Sequence, residues 1–222
     1  MKRAVNSLKI MIVRHAESDF NKLNRIQGHL DSKLTERGSC QAQLLAKELQ
    51  PLHIRKIYSS NLGRALSTTR YLSKKLKKPI TLEPGLKEIH LGKWEGLTPD
   101  EVNARYQNGY DRWRSCPSKM RIPGSEGVAA FRKRTLATFE RIMRKEKSGC
   151  ILIVTHGGVI ASLLAHWLKA DFDNVLLNLK LDNTSVTYVE ERGGRVILHA
   201  INDTSHLERK GAQGACVFTQ HH

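Results

Sequence analysis

The chain lacks the cysteine and histidine patterns that hold structural metals. Its four cysteines, Cys40, Cys116, Cys150 and Cys216, are widely spaced and form no C-x-x-C pair, and no H-E-x-x-H motif occurs. Zinc sites and disulfide frameworks are read from paired or clustered ligands. The spacing therefore favours free thiols in a reducing compartment. We expect a cytoplasmic protein that holds no metal and no other cofactor.

Long apolar runs are also missing. No segment approaches the roughly 20 apolar residues that cross a bilayer, so we expect no membrane partner. The first 15 residues, MKRAVNSLKIMIVRH, contain only a short apolar run that leads straight into Arg14 and His15. A cleaved signal peptide is therefore not expected. Repeats and low-complexity tracts are absent, and 222 residues fit a single domain.

Acidic residues are few compared with basic ones. The chain has 37 Lys and Arg against 21 Asp and Glu, a net charge of +16. Such an excess is compatible with a surface that binds polyanions. However, basic stretches such as Lys74–Lys78 lie on the polar faces of predicted amphipathic helices, where a solvated surface is the commoner explanation. We therefore do not expect nucleic acid as a partner, whereas a phosphorylated small molecule would be attracted by the same charge.

An arginine and a histidine follow directly after the apolar run Leu8–Val13, which predicts a buried strand. Arg14 offers a planar fork of donors that matches phosphate oxygens. His15 is of the residue type that can act as nucleophile, base or acid near neutral pH. By itself this pair is weak support for a functional site, because many histidines after strands are ordinary loop residues.

Two further predicted strands end in residues suited to an anion. The run Cys150–Thr155 is followed by His156 and two glycines, and a predicted helix begins there with free N–H groups. The run Lys56–Ser60 precedes a helix predicted over Leu62–Leu76. In its first turn lies Arg64, where a cation is unfavourable unless an anion is bound. Ligands of α/β sheets bind beyond the carboxyl ends of the strands, so the three ends predict one anion site.

The remaining patterns predict the fold. Helices are expected over Thr35–Gln50 and Ser125–Lys147, and a hairpin is expected between Thr184–Glu190 and Arg195–Ile201. Alternating strands and helices indicate an α/β fold. We predict a three-layer αβα sandwich with a mainly parallel central sheet, one antiparallel strand and helices on both faces. Residues 205–222 lack periodicity and are expected to be a flexible tail.

Four motifs in this order resemble the histidine phosphatase superfamily, in its phosphoglycerate mutase-like branch 1. They are VRHAES at 13–18, SSNLGRA at 59–65, LKEIHLGKWEG at 86–96 and THGG at 155–158. The resemblance covers about residues 8–203. It implies a phosphoglycerate mutase-like fold, with one domain over residues 1–204 and a lid around 92–124 that sets substrate choice.

The resemblance also implies roles for the matched positions. His15 would be the nucleophile that carries the phosphoryl group, and Glu88 would protonate the departing oxygen and later activate water. The phosphate would be bound by Arg14, Arg64 and a cationic His156. Further substrate contacts are implied for Asn21, Gln27, Gly28 and Gly157. This scheme agrees with the residue chemistry, because phosphoryl transfer depends mainly on positioning and charge stabilisation, so no metal is required.

Three functions fit these motifs. We favour a metal-independent phosphatase that hydrolyses a phosphomonoester through phosphohistidine. A phosphoglycerate mutase is the alternative, but residues 92–124 contain no adjacent Arg-Arg pair to bind a substrate carboxylate, and Trp94-Glu95-Gly96 resembles the phosphatases. A weakly active scaffold that binds a phosphorylated ligand or a polyanion is more remote. The order Gly124-Ser125-Glu126 departs from the Gly-Glu-Ser of related phosphatases, which leaves substrate contact there open. The oligomeric state is also open, a homodimer included.

Overall fold

The computed structural model describes residues 7–208, which form a six-stranded sheet. The strands are β1 (Ser7–Arg14), β2 (Ile54–Ser59), β3 (Ile80–Leu82), β4 (Gly149–Thr155), β5 (Val186–Arg192) and β6 (Arg195–Asp203). Their order across the sheet is β3-β2-β4-β1-β5-β6. Strands β3, β2, β4 and β1 are parallel to one another, whereas β5 is antiparallel to both β1 and β6. The predicted mainly parallel sheet with one antiparallel strand is therefore confirmed.

Within these residues the connections form eight α-helices. They are α1 (Asp19–Lys22), α2 (Glu36–Leu49), α3 (Gly63–Leu76), α4 (Pro99–Arg105), α5 (Gly109–Ser115), α6 (Val128–Lys145), α7 (Gly157–Trp167) and α8 (Phe172–Asn178). Short 3-10 turns occur at Pro84–Leu86, Gly92–Trp94, Pro117–Lys119 and Ser205–Leu207. The long helices match the predicted ones to within a few residues at each end.

Alternate residues of β1 pack into two different apolar cores, one on each face of the sheet. Ile10 and Ile12 belong to an apolar core with α6 and α7, whereas Met11 and Val13 belong to a second core with α2 and α3. Because successive side chains of a strand point to opposite faces, a continuous apolar run is stable only when helices cover both faces. Burying a large aliphatic side chain contributes about 1.5–3 kcal/mol. The predicted αβα sandwich is confirmed.

Parts of the structure differ from the prediction. The edge strand β3 has only three residues, too few for a recognisable pattern, and was not predicted. Helix α6 starts at Val128 rather than Ser125, because Gly127 precedes it with φ +74°, outside the helical region. Cys116 and Cys150 are free, as expected, whereas Cys216 lies outside the described residues. No helix of the described range is long and apolar enough to span a bilayer.

The start of the predicted tail belongs to the folded domain. The 3-10 turn Ser205–Leu207 buries His206, whose Nε2 donates to Thr184 Oγ1 at 3.0 Å. Burial lowers the pKa of His206 to about 4, so the ring is neutral at neutral pH. The described structure thus continues past residue 204, and the flexible tail stays a prediction, most of which falls on residues 209–222. Residues 1–6 and 209–222, which include part of the segment for which no signal cleavage is expected, lie outside the described residues.

Candidate active site

The predicted site residues meet at the carboxyl ends of three neighbouring strands. Arg14 is the last residue of β1, and His15 N donates to Thr155 O at the end of β4, at 2.9 Å. His156 follows β4, and Arg64 lies in the first turn of α3 after β2. Arg64 Nε lies 3.2 Å from His15 Nε2, and the ring centroids of the two histidines are 5.2 Å apart. The anticipated convergence is therefore present.

The hydrogen bonds of His15 define its tautomer. Its Nδ1 lies 2.8 Å from Ala16 O, and because a carbonyl only accepts, Nδ1 must carry the proton. Nε2 therefore keeps its lone pair, which accepts from Arg64 Nε. Burial, together with the charges of Arg64 and Arg14, holds the pKa of His15 well below its usual range. The ring is thus neutral, with a nucleophilic nitrogen beside a guanidinium group.

Arg64 is almost fully buried, with 1% of its surface exposed. Its Nη1 donates to Leu30 O at 3.0 Å, and its Nη2 donates to Gly28 O at 2.9 Å. The carboxylate of Asp31 lies 3.7 Å from Nη1 and also accepts from Gly63 N at the start of α3. These contacts hold a buried cation in one orientation, which is what charge stabilisation in phosphoryl transfer requires.

Two buried nitrogens at the site have no hydrogen-bond partner in the described structure. Arg14 donates through Nη1 to Leu181 O, but its Nε is unpaired. His156 Nε2 lies 2.8 Å from Ser60 Oγ, but its Nδ1 is unpaired. Unpaired buried polar groups are rare in folded proteins and call for an explanation. A bound phosphate, with three acceptor oxygens, would satisfy both groups.

The protonation of His156 depends on its burial and on the charges around it. The side chain is fully buried, and burial, followed by the charges of Arg64, His15 and Arg14, holds its pKa well below the usual range. The ring is therefore neutral in the protein without a ligand, and a cationic His156 on bound phosphate stays a prediction. If Ser60 Oγ donates to Nε2, then Nδ1 carries the proton and can donate it as a neutral group. The positive charge of the site comes from Arg14 and Arg64.

Glu88 lies half-buried against the start of α7. Its Oε2 accepts from Gly158 N at 3.1 Å, and its Oε1 accepts from Ile89 N at 2.9 Å. Burial lowers the pKa values of Arg14 and Arg64, and the charge of Glu88 acts against that effect. A carboxyl group held in this way is of the type that can exchange protons with a leaving oxygen or with water.

The contact between Glu88 and α7 predicts the effect of one added methyl group. A Cβ at Gly158 would overlap Glu88 Oε1. We expect Gly158→Ala to displace the carboxylate and lower kcat by about 10-fold to 100-fold, because small misplacements of a catalytic group have effects of this size. His166→Ala is the control, since it changes an exposed side chain near the other end of the same helix, away from the site. Equal losses in phosphatase assays of the two variants would contradict this role of Gly158.

The other residues that are predicted to contact substrate form hydrogen bonds or packing contacts with neighbouring residues of the protein. Asn21 Oδ1 accepts from Ser18 N at 3.2 Å. Gln27 Oε1 accepts from the hydroxyl of Ser18 at 3.0 Å. Gly28 has φ +51° and no room for a side chain, because a Cβ would overlap Glu95. Gly157 borders Arg14. Their contact with substrate stays a prediction.

The predicted lid folds as a small apolar unit. Trp94, Val102 and Ile122 are buried together within it. Ile26 packs against this unit, and together they border a cavity of about 210 Å³. It is lined by Asn24, Arg25, Ile26, Leu91, Trp94, Pro99, Tyr110 and Trp113. The predicted lid therefore has an apolar cluster of its own, which lies next to the segment that carries Gln27 and Gly28.

Several residues that hold the loops of the site in place could not be identified from the sequence. Glu95 Oε1 accepts from His29 N at 2.9 Å and from Leu91 N at 2.8 Å, which joins two loops at the pocket. Arg134 and Glu126 together bind the loop of Glu88. These contacts join residues up to 66 positions apart, and no local pattern marks them. Among residues 7–208, no group of three or more His, Cys, Asp or Glu side chains is arranged to hold a metal ion.

Comparison with known proteins agrees with this geometry. The family model of the histidine phosphatase superfamily (branch 1) matches residues 10–204. Phosphoserine phosphatase 1 of Hydrogenobacter thermophilus is 31% identical over 90% of this chain and 94% of its own length. A metal-independent phosphoserine phosphatase of Arabidopsis thaliana is 34% identical over 91% of this chain and 84% of its own. The structure of Bacillus stearothermophilus YhfR superposes with a TM-score of 0.86 and 32% identity, covering 90% and 99% of the two chains.

Proposed function

We propose that this chain, which belongs to the histidine phosphatase superfamily (branch 1) and is a phosphoric monoester hydrolase, works through a covalent phosphohistidine on His15. The observation that carries the proposal is the neutral His15 ring. Its Nδ1 proton is bound to Ala16 O, and its Nε2 lone pair lies beside Arg64. A protonated ring could not attack phosphorus, whereas this tautomer can.

In the first step His15 Nε2 forms a bond to phosphorus while the bond to the ester oxygen breaks. Arg14 and Arg64 stabilise the charge on the non-bridging oxygens, and His156 Nδ1 donates a further hydrogen bond. Glu88, entering the step as the carboxylic acid, transfers its proton to the departing oxygen and becomes a carboxylate. The product alcohol leaves, and the phosphoryl group stays on His15.

In the second step the carboxylate of Glu88 removes a proton from water, and the water oxygen forms a bond to phosphorus. The bond from phosphorus to Nε2 breaks, inorganic phosphate leaves, and His15 and protonated Glu88 are restored. One carboxyl group thus serves as acid and then as base. The arginines supply fixed positive charge at each step, so the residues of the chain perform the scheme without a metal.

We further propose a small anionic phosphomonoester as substrate, with phosphoserine as the first candidate. Two similar proteins are named phosphoserine phosphatases. The lid supports the proposal, because it exposes basic side chains that can attract a carboxylate: Arg112, Arg114, Lys119 and Arg121.

A panel of phosphomonoesters tests the proposed substrate. We expect kcat/KM for L-phosphoserine to exceed that for alkyl phosphates whose alkyl group carries no charge by at least about 10-fold, the discrimination that one added charged contact supports. Phosphate release and the interconversion of phosphoglycerates should be measured in parallel. Interconversion without phosphate release would favour the mutase alternative and contradict the proposal.

A further inference from the structure

Arg134 of helix α6 uses every N–H of its guanidinium group. Its Nε and Nη2 donate to the two carboxylate oxygens of Glu126 at 2.8 and 2.6 Å. Its Nη1 donates to the backbone oxygens of Gly85 and Lys87 at 3.0 and 2.7 Å. Nη2 also donates to Glu88 O at 2.7 Å. A guanidinium has five N–H donors, so none is left for substrate.

Glu126 binds both Arg134 and the same loop, on the C-terminal side of Glu88. Its Oε1 accepts from His90 N at 2.8 Å as well as from Arg134. Burial opposes its ionisation, but the hydrogen bonds from Arg134 and from His90 N outweigh that effect and lower the pKa of Glu126. The charged pair therefore binds the loop both before and after Glu88.

The loop needs such support because residues 87–91 lie between two 3-10 turns and belong to no helix or strand. Backbone carbonyls in such a segment must find partners elsewhere. The carbonyl of Glu88 has two, Arg134 Nη2 and His29 Nε2, at 2.7 and 2.8 Å. These two hydrogen bonds fix the Glu88 carbonyl, and therefore the backbone from which the Glu88 side chain extends.

We propose that Arg134, oriented by Glu126, is a positioning residue for the proton transfers of Glu88. The inference rests on the proposed role of Glu88 in catalysis. Arg134 itself touches neither the nucleophile nor the substrate, since all its donors are taken by Glu126 and by the loop. It acts by holding the Glu88 backbone, while Gly158 N and Ile89 N orient the carboxylate.

A positioning role differs from a purely stabilising one in its dependence on the leaving group. A displaced Glu88 hinders esters whose leaving oxygen needs protonation, whereas activated aryl esters need none in the first step. The water attack that follows still needs a base. With an activated aryl phosphate, a variant at Arg134 should therefore form the phosphoenzyme at the normal rate in an initial burst and then turn over slowly.

The test compares Arg134→Gln with Arg141→Gln. Arg141 lies on the same helix and forms a similar two-point pair with Glu83, at 3.0 and 2.6 Å, without touching Glu88. For Arg134→Gln we expect kcat/KM on an alkyl phosphate to fall by about 10-fold to 100-fold and that on 2,4-dinitrophenyl phosphate by less than about 3-fold. Arg141→Gln should change kcat/KM on both esters by less than about 3-fold.

Chemical rescue is a second test. Millimolar guanidinium should restore part of the alkyl phosphatase activity of Arg134→Ala, because the side chain of Arg134 is partly exposed to solvent.

Equal losses on both esters, or equal behaviour of the Arg134 and Arg141 variants, would overturn the inference. If Arg134→Gln fails to fold, Glu126→Gln replaces it, because the amide still accepts from His90 N but weakens the hold on Arg134; it should show the same leaving-group dependence. Glu88→Gln separates the two hypotheses. If the loss in Glu88→Gln does not depend on the leaving group, the proposed role of Glu88 fails. If the loss depends on the leaving group in Glu88→Gln but not in Arg134→Gln, only the positioning role of Arg134 is contradicted.

Discussion

Replacing His15 by alanine is expected to abolish hydrolysis of phosphomonoesters, lowering kcat by about 10⁴-fold or more. The variant loses the Nε2 lone pair that forms the bond to phosphorus, and water cannot replace it because the attack must come from a fixed position beside Arg64. Phosphate release from an aryl phosphate measures the loss. Phosphohistidine hydrolyses in acid, so the reaction should be quenched with alkaline denaturant; mass spectrometry should then detect a phosphoryl group on the wild-type enzyme and none on His15→Ala.

The control for this experiment is His53→Ala, which removes an exposed imidazole outside the site and should leave activity within about 2-fold. Circular dichroism and thermal unfolding should show that both variants keep the fold. Retained turnover in folded His15→Ala would contradict the covalent mechanism. Turnover carried by His156 instead would appear as a phosphoryl group on that residue, with the same consequence.

Replacing Glu88 by glutamine is expected to lower kcat/KM by about 10²-fold to 10⁴-fold for esters with poor leaving groups. Glutamine keeps an oxygen that can accept from Gly158 N or Ile89 N, so the loop should stay in place. It cannot donate an acidic proton, and the loss should therefore grow as the leaving group becomes more basic. A series of aryl and alkyl phosphates, plotted as log kcat/KM against leaving-group pKa, measures this slope.

The matched control is Glu140→Gln, a carboxylate on the exposed side of α6 that forms only a 3.8 Å surface pair with Arg144. Surface pairs of this kind contribute about 0–1 kcal/mol, so activity and the slope should not change. A uniform loss across the leaving-group series in Glu88→Gln would show that the carboxylate stabilises charge or structure without transferring protons. The second step would then need a different base.

Much of the site could be predicted because it depends on local sequence. Apolar runs followed by Arg14, His15 and His156 predicted strands with polar ends, and parallel strands bring those ends to one edge. Arg64 was recognised from its unfavourable place in the first turn of a helix. Glu88 was different, since only the family resemblance pointed to it. Nothing in its neighbourhood showed that it would meet α7.

The features that could not be predicted depend on residues far apart in the chain. Gly158 contacts the Glu88 carboxylate across 70 positions, and Arg134 reaches the Glu88 carbonyl across 46. On helix α6 Arg134 looks like one more basic residue on a polar face. The low pKa of His156 could not be predicted for the same reason, because burial and neighbouring arginines cause it.

The sequence by itself determined the layered α/β fold, the three strand ends and the residue types of an anion site, because these follow from hydrophobic periodicity and from the geometry of parallel strands. Only the tertiary structure decided which nitrogen of His15 is unprotonated, that burial lowers the pKa of His156, and how the loop of Glu88 is held. Those properties arise from burial and from hydrogen bonds between distant segments, which exist only once the chain is packed.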